Sequence, residues 1–174
     1  LVPVVLFYLL SDPYASIQAV TISHGEARPQ VYIQLMGGVL EGFGFSGIPL
    51  GAGADTAIIP GEGFPAWVVE SSDDFWGHPP DSDKVFPVEN ASDLMIRLLN
   101  QSSQPMAVFI SGPCTDLALA LRQDPGIAEK ISGVYIMGGA VYVPGNLYEL
   151  VQNHPNTAAE WNIYVDPLAA KEVF

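Results

Sequence analysis

The chain has 174 residues and carries 6 Lys and Arg against 19 Asp and Glu, a formal charge of −13 at pH 7. With 49% hydrophobic and only 14% charged residues it has ample apolar material for a core and is not intrinsically disordered. An acidic surface repels phosphate backbones, which argues against nucleic acid as a partner, and the single cysteine, Cys114, excludes an internal disulfide framework.

The apolar run Leu1–Leu10 is half of the roughly 20 residues that a membrane helix requires, and Ser11-Asp12-Pro13 stops it. No basic segment precedes it as in a secretory leader. It reads as a buried helix already under way at Leu1, and Lys171–Phe174 ends inside another. The expectation is a single α/β domain over 1–174 that is part of a longer, cytoplasmic protein. Ile17–Ser23 is β-branched and reads as a strand. After the His24–Arg28 loop, Pro29 opens a helix whose apolar face is Val31, Leu35, Met36 and Val39, weakened at its end by Gly37-Gly38. A short strand follows near Ile48–Gly51. Residues 55–89 are acidic and aromatic and read as one long loop, either a lid or binding loop or a disordered segment. Asn90 caps a helix that turns Leu94, Leu98 and Leu99 inward.

In the second half, Met106–Ile110 is a buried strand and Thr115–Arg122 a helix broken by Asp124-Pro125. Val134–Met137 is a further strand ending at Gly138-Gly139, and Asp166-Pro167 pairs an N-cap with a Pro at the first helical position. Strands alternating with helices predict right-handed crossovers and a three-layer, open, mainly parallel sheet with helices on both faces. Continuous apolar strands predict burial on both sheet faces. Ligands of such sheets bind outside the carboxyl ends of the strands. Ser23–Glu26, Ser111–Thr115 and Met137–Gly139 reach that edge, with Ala159–Asn162 just beyond. Glu160 and Asn162, two residues apart beside Trp161, have the acceptors and donors to grip neighbouring hydroxyls.

Gly112–Leu121 (GPCTDLALAL), Ile136–Ala140 (IMGGA), Gly145-Asn146 and Ala159–Pro167 (AEWNIYVDP) occur in that order. Together they resemble the core motifs of the calcium-dependent, inosine-uridine preferring nucleoside hydrolases, over the central part of that fold. The resemblance implies hydrolysis of the N-glycosidic bond of ribonucleosides to ribose and free base, as in purine and pyrimidine nucleoside salvage. It implies a nucleoside as partner, self-association into a homo-oligomer, and calcium as cofactor. Matched by position, Thr115 supplies a backbone carbonyl to the metal, while Met137, Asn146, Glu160 and Asn162 surround the ribose. His24 and Glu26 are further pocket candidates, Glu26 standing where the family usually carries Asn. The family's Asp-rich motif, with the general base, would precede Leu1, and 147–157 reads as an insertion. Calcium retention and full activity by these 174 residues alone are therefore in question, and the alternative is a catalytically silent ribose- or nucleoside-binding domain.

Each assignment has a plainer reading. Glu160 and Asn162 can cap a strand end, Met137 can be core, Asn146 can be a turn residue, and Thr115 can be an N-cap. Cys114 has no His to activate it and reads as a small buried residue. His24, His78 and His154 lack metal-ligand spacing. Gly42–Gly47 (GFGFSG) matches a dinucleotide fingerprint by letter but sits between a helix and a strand, the reverse of the required order. Asn90-Ala91-Ser92 and Asn100-Gln101-Ser102 match glycosylation acceptors, which matter only in a secreted protein.

Overall fold

In the computed structural model, residues 2–80 and 84–174 are described. Helix α1 (Val2–Ser11) precedes strand β1 (Val20–Ile22), helix α2 (Pro29–Gly42) and strand β2 (Leu50–Ala52). Helix α3 (Ala66–Asp73) leads to β3 (Val88–Asn90), α4 (Ala91–Gln101), β4 (Met106–Ile110) and α5 (Thr115–Gln123). Strand β5 (Ile131–Ile136) and helices α6 (Trp161–Val165) and α7 (Pro167–Val173) complete the order. All pairings are parallel, in two sheets of order β1-β2-β3 and β4-β5. The result is the three-layer α/β arrangement expected from the alternation of elements.

Helix α2 begins at Pro29, where a missing N–H costs nothing. Its buried stripe is Ile33, Met36 and Leu40, not Val31, Leu35 and Val39; Val31 is 37% exposed. Both stripes satisfy helical spacing, and packing against β2 and Phe86 selects between them. Gly37 belongs to the packed face: a Cβ there would lie 2.6 Å from the Phe86 ring. The helix consequently runs through the glycine pair to Gly42. Leu6 and Leu10 of α1 join the same cluster, and Phe7 meets Phe43 with ring centroids 4.6 Å apart. Val4 and Tyr8 of α1 are 68% and 70% exposed, more than a wholly buried helix allows.

The 55–89 stretch is not one loop. It contains α3 and a 3-10 turn at Phe75–Gly77; residues 81–83, within the expected loop, lie outside the described residues, as does Leu1. Arg28 clamps the end of α3, with its backbone N–H (2.9 Å) and guanidinium both donating to Asp73. Asn90 does cap α4, its Oδ1 accepting from Ser92 and Asp93 N–H. Leu94 and Leu99 are buried there, and Leu98 only in part.

Burial on both faces does not hold for β4 and β5. Ile110 packs with Leu117, Ala118 and Ala169, whereas Phe109 is 46% and Tyr135 63% exposed. One face of this two-stranded sheet rests on α5 and α7, and no described element covers the other. No helix among the described residues is long and apolar enough to cross a membrane.

Candidate active site

The carboxyl ends of β1 and β4 open on one side of the molecule. A cavity of about 180 Å³ lies between the two strands, lined by Ser23, His24, Glu26, Ser111, Asp116 and Asn162 among others. Beneath it runs a buried polar chain. Thr115 Oγ1 donates to Asp166 Oδ2 at 2.7 Å and lies 2.8 Å from His24 Nε2. The hydroxyl has one proton and gives it to the carboxylate, so His24 Nε2 donates to Thr115 and its Nδ1 is left as an acceptor. Burial lowers the His24 pKa, partly opposed by the charge of Asp166, so the ring is neutral at pH 7.

Asp166, fully buried, also caps α7 through Ala169 N–H and accepts from Ile58 N–H at 2.9 Å. It thus ties the 53–65 loop, α5 and α7 to one carboxylate. Asp116, next along α5, is 3% exposed. Its Oδ1 accepts from Ala54 N–H at 3.1 Å. Burial pushes its pKa up to about 6, with Ala54 N–H and the nearby Ser23 hydroxyl restraining the rise. No hydrogen bond of normal geometry joins that pair, and Ser23 Oγ and Asp116 Oδ2 are buried without a partner.

A second cluster adjoins the cleft at the end of β5. Glu160 caps α6 and holds the preceding turn. Its Oε1 accepts from Asn162 N–H (3.0 Å), and its Oε2 from Gly139 N–H (3.0 Å) and Ile163 N–H (3.2 Å). Asn162 Nδ2 donates to Met137 O at 3.0 Å and Ser111 O at 3.4 Å, joining the ends of β5 and β4. Asn146 Oδ1 accepts from Trp161 N–H at 3.0 Å. Gly145 allows this approach, since a Cβ there would sit 1.9 Å from Ala159 O. These bonds leave one lone pair of Glu160 Oε1, the Oδ1 of Asn162 and the Nδ2 of Asn146 for a ligand, a set able to accept from and donate to vicinal hydroxyls.

The description "inosine-uridine preferring nucleoside hydrolase" is that of the family matched by residues 4–174. The chain belongs to this family. It is 34% identical over 137 residues to a probable uridine nucleosidase 1 of Oryza sativa subsp. japonica, covering 77% of this chain and 39% of that protein. It is 32% identical over 167 residues to the pyrimidine-specific ribonucleoside hydrolase RihA of Escherichia coli O139:H28, covering 95% of this chain and 50% of that protein. Among solved structures, the inosine-uridine preferring nucleoside hydrolase of Bacillus anthracis superposes with a TM-score of 0.81 at 28% identity, covering 97% of this chain and 56% of that one. A plant nucleoside hydrolase superposes at 0.82 with 30% identity, covering 97% and 51%. The chain thus spans about half the length of the relatives it matches.

Of the residues singled out in the sequence, Asn162, His24 and Glu26 line the cleft. Glu160, Met137 and Asn146 join Asn162 through the bonds above. Thr115 is buried at the base, and it is the first residue of α5 rather than its N-cap, which is Cys114. Met137 is 44% exposed, which removes the core reading. Cys114 is 1% exposed and burial drives its thiol up to about 11, so it is no nucleophile. His78 is exposed. His154 is buried in the 147–157 segment against Trp161 and Tyr164, with Glu62 at 3.5 Å. Leu147, Leu150 and Val151 of that segment pack with Trp161, Val165 and Phe64, and Phe64 stacks on Trp161 with ring centroids 4.6 Å apart.

Ser23 falls in the Ser23–Glu26 edge segment and Asp116 and Asp166 fall within the ordered motifs, but the sequence does not show what their side chains bond, because the partners are distant in the chain. The family's calcium does not fit the residues present. Calcium takes six to eight oxygens, and among the described residues no group of three or more His, Cys, Asp and Glu side chains could hold a metal. The oxygen groups that line the cleft include the Glu26 and Asp116 carboxylates and the Asn162 amide, and they do not form such a group.

Proposed function

We propose that the protein hydrolyses the N-glycosidic bond of ribonucleosides to ribose and free base. The observation that carries this reading is the Glu160–Asn162–Asn146 cluster. Three side chains are fixed by backbone bonds, their remaining acceptors and donor are left for vicinal hydroxyls, and Asn162 reaches into the cleft. The names of the relatives, a uridine nucleosidase and a pyrimidine-specific ribonucleoside hydrolase, support the same chemistry.

Cleavage of a glycosidic bond passes through an oxocarbenium-like state with positive charge on the sugar. Glu160 is a fixed negative group at the sugar site, and preorganised charge stabilises such a state without reorganisation. Asn162 and Asn146 fix the ring so that remote binding energy is used at the reacting carbon. His24 Nδ1 is an acceptor at the cleft.

Ribose release from a panel of nucleosides, measured on the protein in its longest natural form with calcium and with chelator, tests the reading. Turnover that falls when Glu160→Gln is introduced is expected. No turnover of any nucleoside in calcium refutes it, and binding heat without ribose release identifies a silent nucleoside-binding domain instead.

A further inference from the structure

Segment 147–157 is closed at its base. Gly145 N–H donates to Thr157 O at 2.8 Å and Asn146 N–H to Ala159 O at 3.1 Å, so the chain leaves and returns at one point. Asn156 Oδ1 accepts from Ala158 and Ala159 N–H, both at 3.0 Å, and shapes the return. The segment rests on Trp161, which stands between Glu160 and Asn162. Besides the stacked Phe64, the buried indole has Tyr164 edge-on at 6.0 Å and His154 edge-on at 6.5 Å. Its N–H is buried without a hydrogen-bond partner, so packing sets the position of the ring. Through the backbone, that position fixes where Glu160 and Asn162 stand on either side.

Behind these rings lies a polar contact with no part in gripping the sugar. Asn156 N–H points at His154 Nδ1 at 3.1 Å. A backbone N–H only donates, so Nδ1 accepts and the neutral ring carries its proton on Nε2. That nitrogen is buried, lacks a hydrogen-bond partner and lies 3.5 Å from Glu62 Oε2. A buried donor left without a partner is costly. Tyr164 Oη donates to the same Glu62 oxygen at 2.8 Å. The Tyr164 bond, opposed by burial and aided by His154, holds the Glu62 carboxyl below its ordinary range, so it is anionic at pH 7. The Glu62 side chain is 57% exposed, and a small rotation of it brings the oxygen to normal bonding distance of Nε2.

We infer that His154, Glu62 and Tyr164 form a latch that positions the sugar-gripping residues. Glu62, from the 53–65 loop, faces one donor from segment 147–157 and one from α6, and the three pieces close round Trp161. The latch reaches a substrate only through Trp161 and its neighbours, so His154 and Glu62 are positioning residues. The inference rests on the reading of Glu160, Asn162 and Asn146 as the sugar site. Orientation at a reacting carbon is sensitive to displacements well below an atom's width, so loosening the latch loosens the grip.

Amide hydrogen exchange without substrate, on the protein in its longest natural form, tests this. The amides of Trp161, Asn162 and Gly139, which bond Asn146 and Glu160, are compared with Ala118 N–H on α5, which bonds Cys114 O. In Glu62→Ala and in His154→Ala the first set is expected to exchange about tenfold faster or more than in the parent, with Ala118 unchanged. Glu62→Gln keeps an oxygen for Tyr164 and His154 and is expected to stay within about threefold of the parent. Where His154→Ala does not fold, the exposed Glu62 position decides alone. Turnover is the second readout, with kcat/KM expected to fall about tenfold in Glu62→Ala and to be largely restored in Glu62→Gln. An unchanged first set in Glu62→Ala, equal acceleration at Ala118, or Glu62→Gln as fast as Glu62→Ala overturns the latch. So does faster exchange with unchanged kcat/KM in an active parent. A parent that releases no ribose refutes the hydrolase reading alone, and the exchange comparison still decides for or against the latch.

Discussion

Asp116→Asn is expected to stabilise the chain at neutral pH. Folding raises the Asp116 pKa from 3.8 to about 6, with burial as the main cause. A carboxyl raised in this way costs nothing while both states are protonated. Its penalty grows as pH rises through the interval from 3.8 to about 6 and is constant above it. At about 1.4 kcal/mol per pH unit the full penalty is about 3 kcal/mol at pH 7, and linkage leaves about 1 kcal/mol of it at pH 4.5. Asn keeps an oxygen for the Ala54 N–H, and its amide can donate to Ser23 Oγ, which has no partner. Urea or thermal unfolding at both pH values, with chelator present so that no cation neutralises the carboxylate, measures the difference. A rise in Tm of about 6–12 °C is expected at pH 7 for a chain of this length. The rise is expected to shrink to roughly a third of that at pH 4.5. A variant no more stable than the parent at pH 7, or one whose advantage is the same at both pH values, refutes the account of Asp116 as a desolvated carboxyl.

Asn162→Ala removes the bonds to Met137 O and Ser111 O and one sugar acceptor. Ribose or nucleoside affinity by calorimetry is expected to fall about 10- to 100-fold while the far-ultraviolet circular dichroism is retained. Gly145→Ala places a methyl 1.9 Å from Ala159 O. It is expected to cost about 1–3 kcal/mol in denaturant unfolding and to weaken sugar binding with it. Cys114, buried and with its pKa at about 11, is expected to resist iodoacetamide at pH 8 in the native chain and to react fully in denaturant. Titration of the 174-residue chain with calcium chloride is expected to show no specific heat at micromolar concentrations. A saturable site there would reveal oxygen donors that the described residues do not bring together.

What the sequence shows and what it hides divide by the range of the interaction. Asn90, Pro29 and Asp166-Pro167 mark helix starts correctly because capping uses groups one to three residues apart. Met106–Ile110 is legible because an apolar run of that length between polar turns has few other uses. The phase of α2 is not legible. The Val31 stripe and the Ile33 stripe fit helical spacing equally, and the choice rests on Phe86 and β2. Helix α3 is hidden for a related reason, since its clamp is Arg28, 45 residues before Asp73. The ordered motifs point to Glu160, Asn162 and Asn146, but not to the fact that most of their hydrogen-bonding capacity goes to the backbone. Asp116 and Asp166 could not be assigned from the sequence, because Asp116 bonds Ala54 across 62 residues, and Asp166 bonds Thr115 across 51 and Ile58 across 108.

The same long-range polar bonds explain how a site can persist between two sheets that share no ladder. The apolar core is divided, with one cluster around Ile33 and Met36 under β1 and β2 and others around Leu117 and Ile127 under β4 and β5. Across the cleft itself the fixed links are largely polar: His24 to Thr115, Ala54 to Asp116, Ile58 to Asp166. Such bonds contribute modestly to net stability when made and cost far more when one partner is lost. They fix position sharply while adding little to overall stability. A perturbation that opens the cleft will therefore act on His24, Thr115 and Asp166 together, and is felt at the site before it is felt in the apolar clusters. His24 can have an assigned tautomer and a constant position only while Asp166 holds Thr115, so the geometry of the cleft is set by a carboxylate that does not line it.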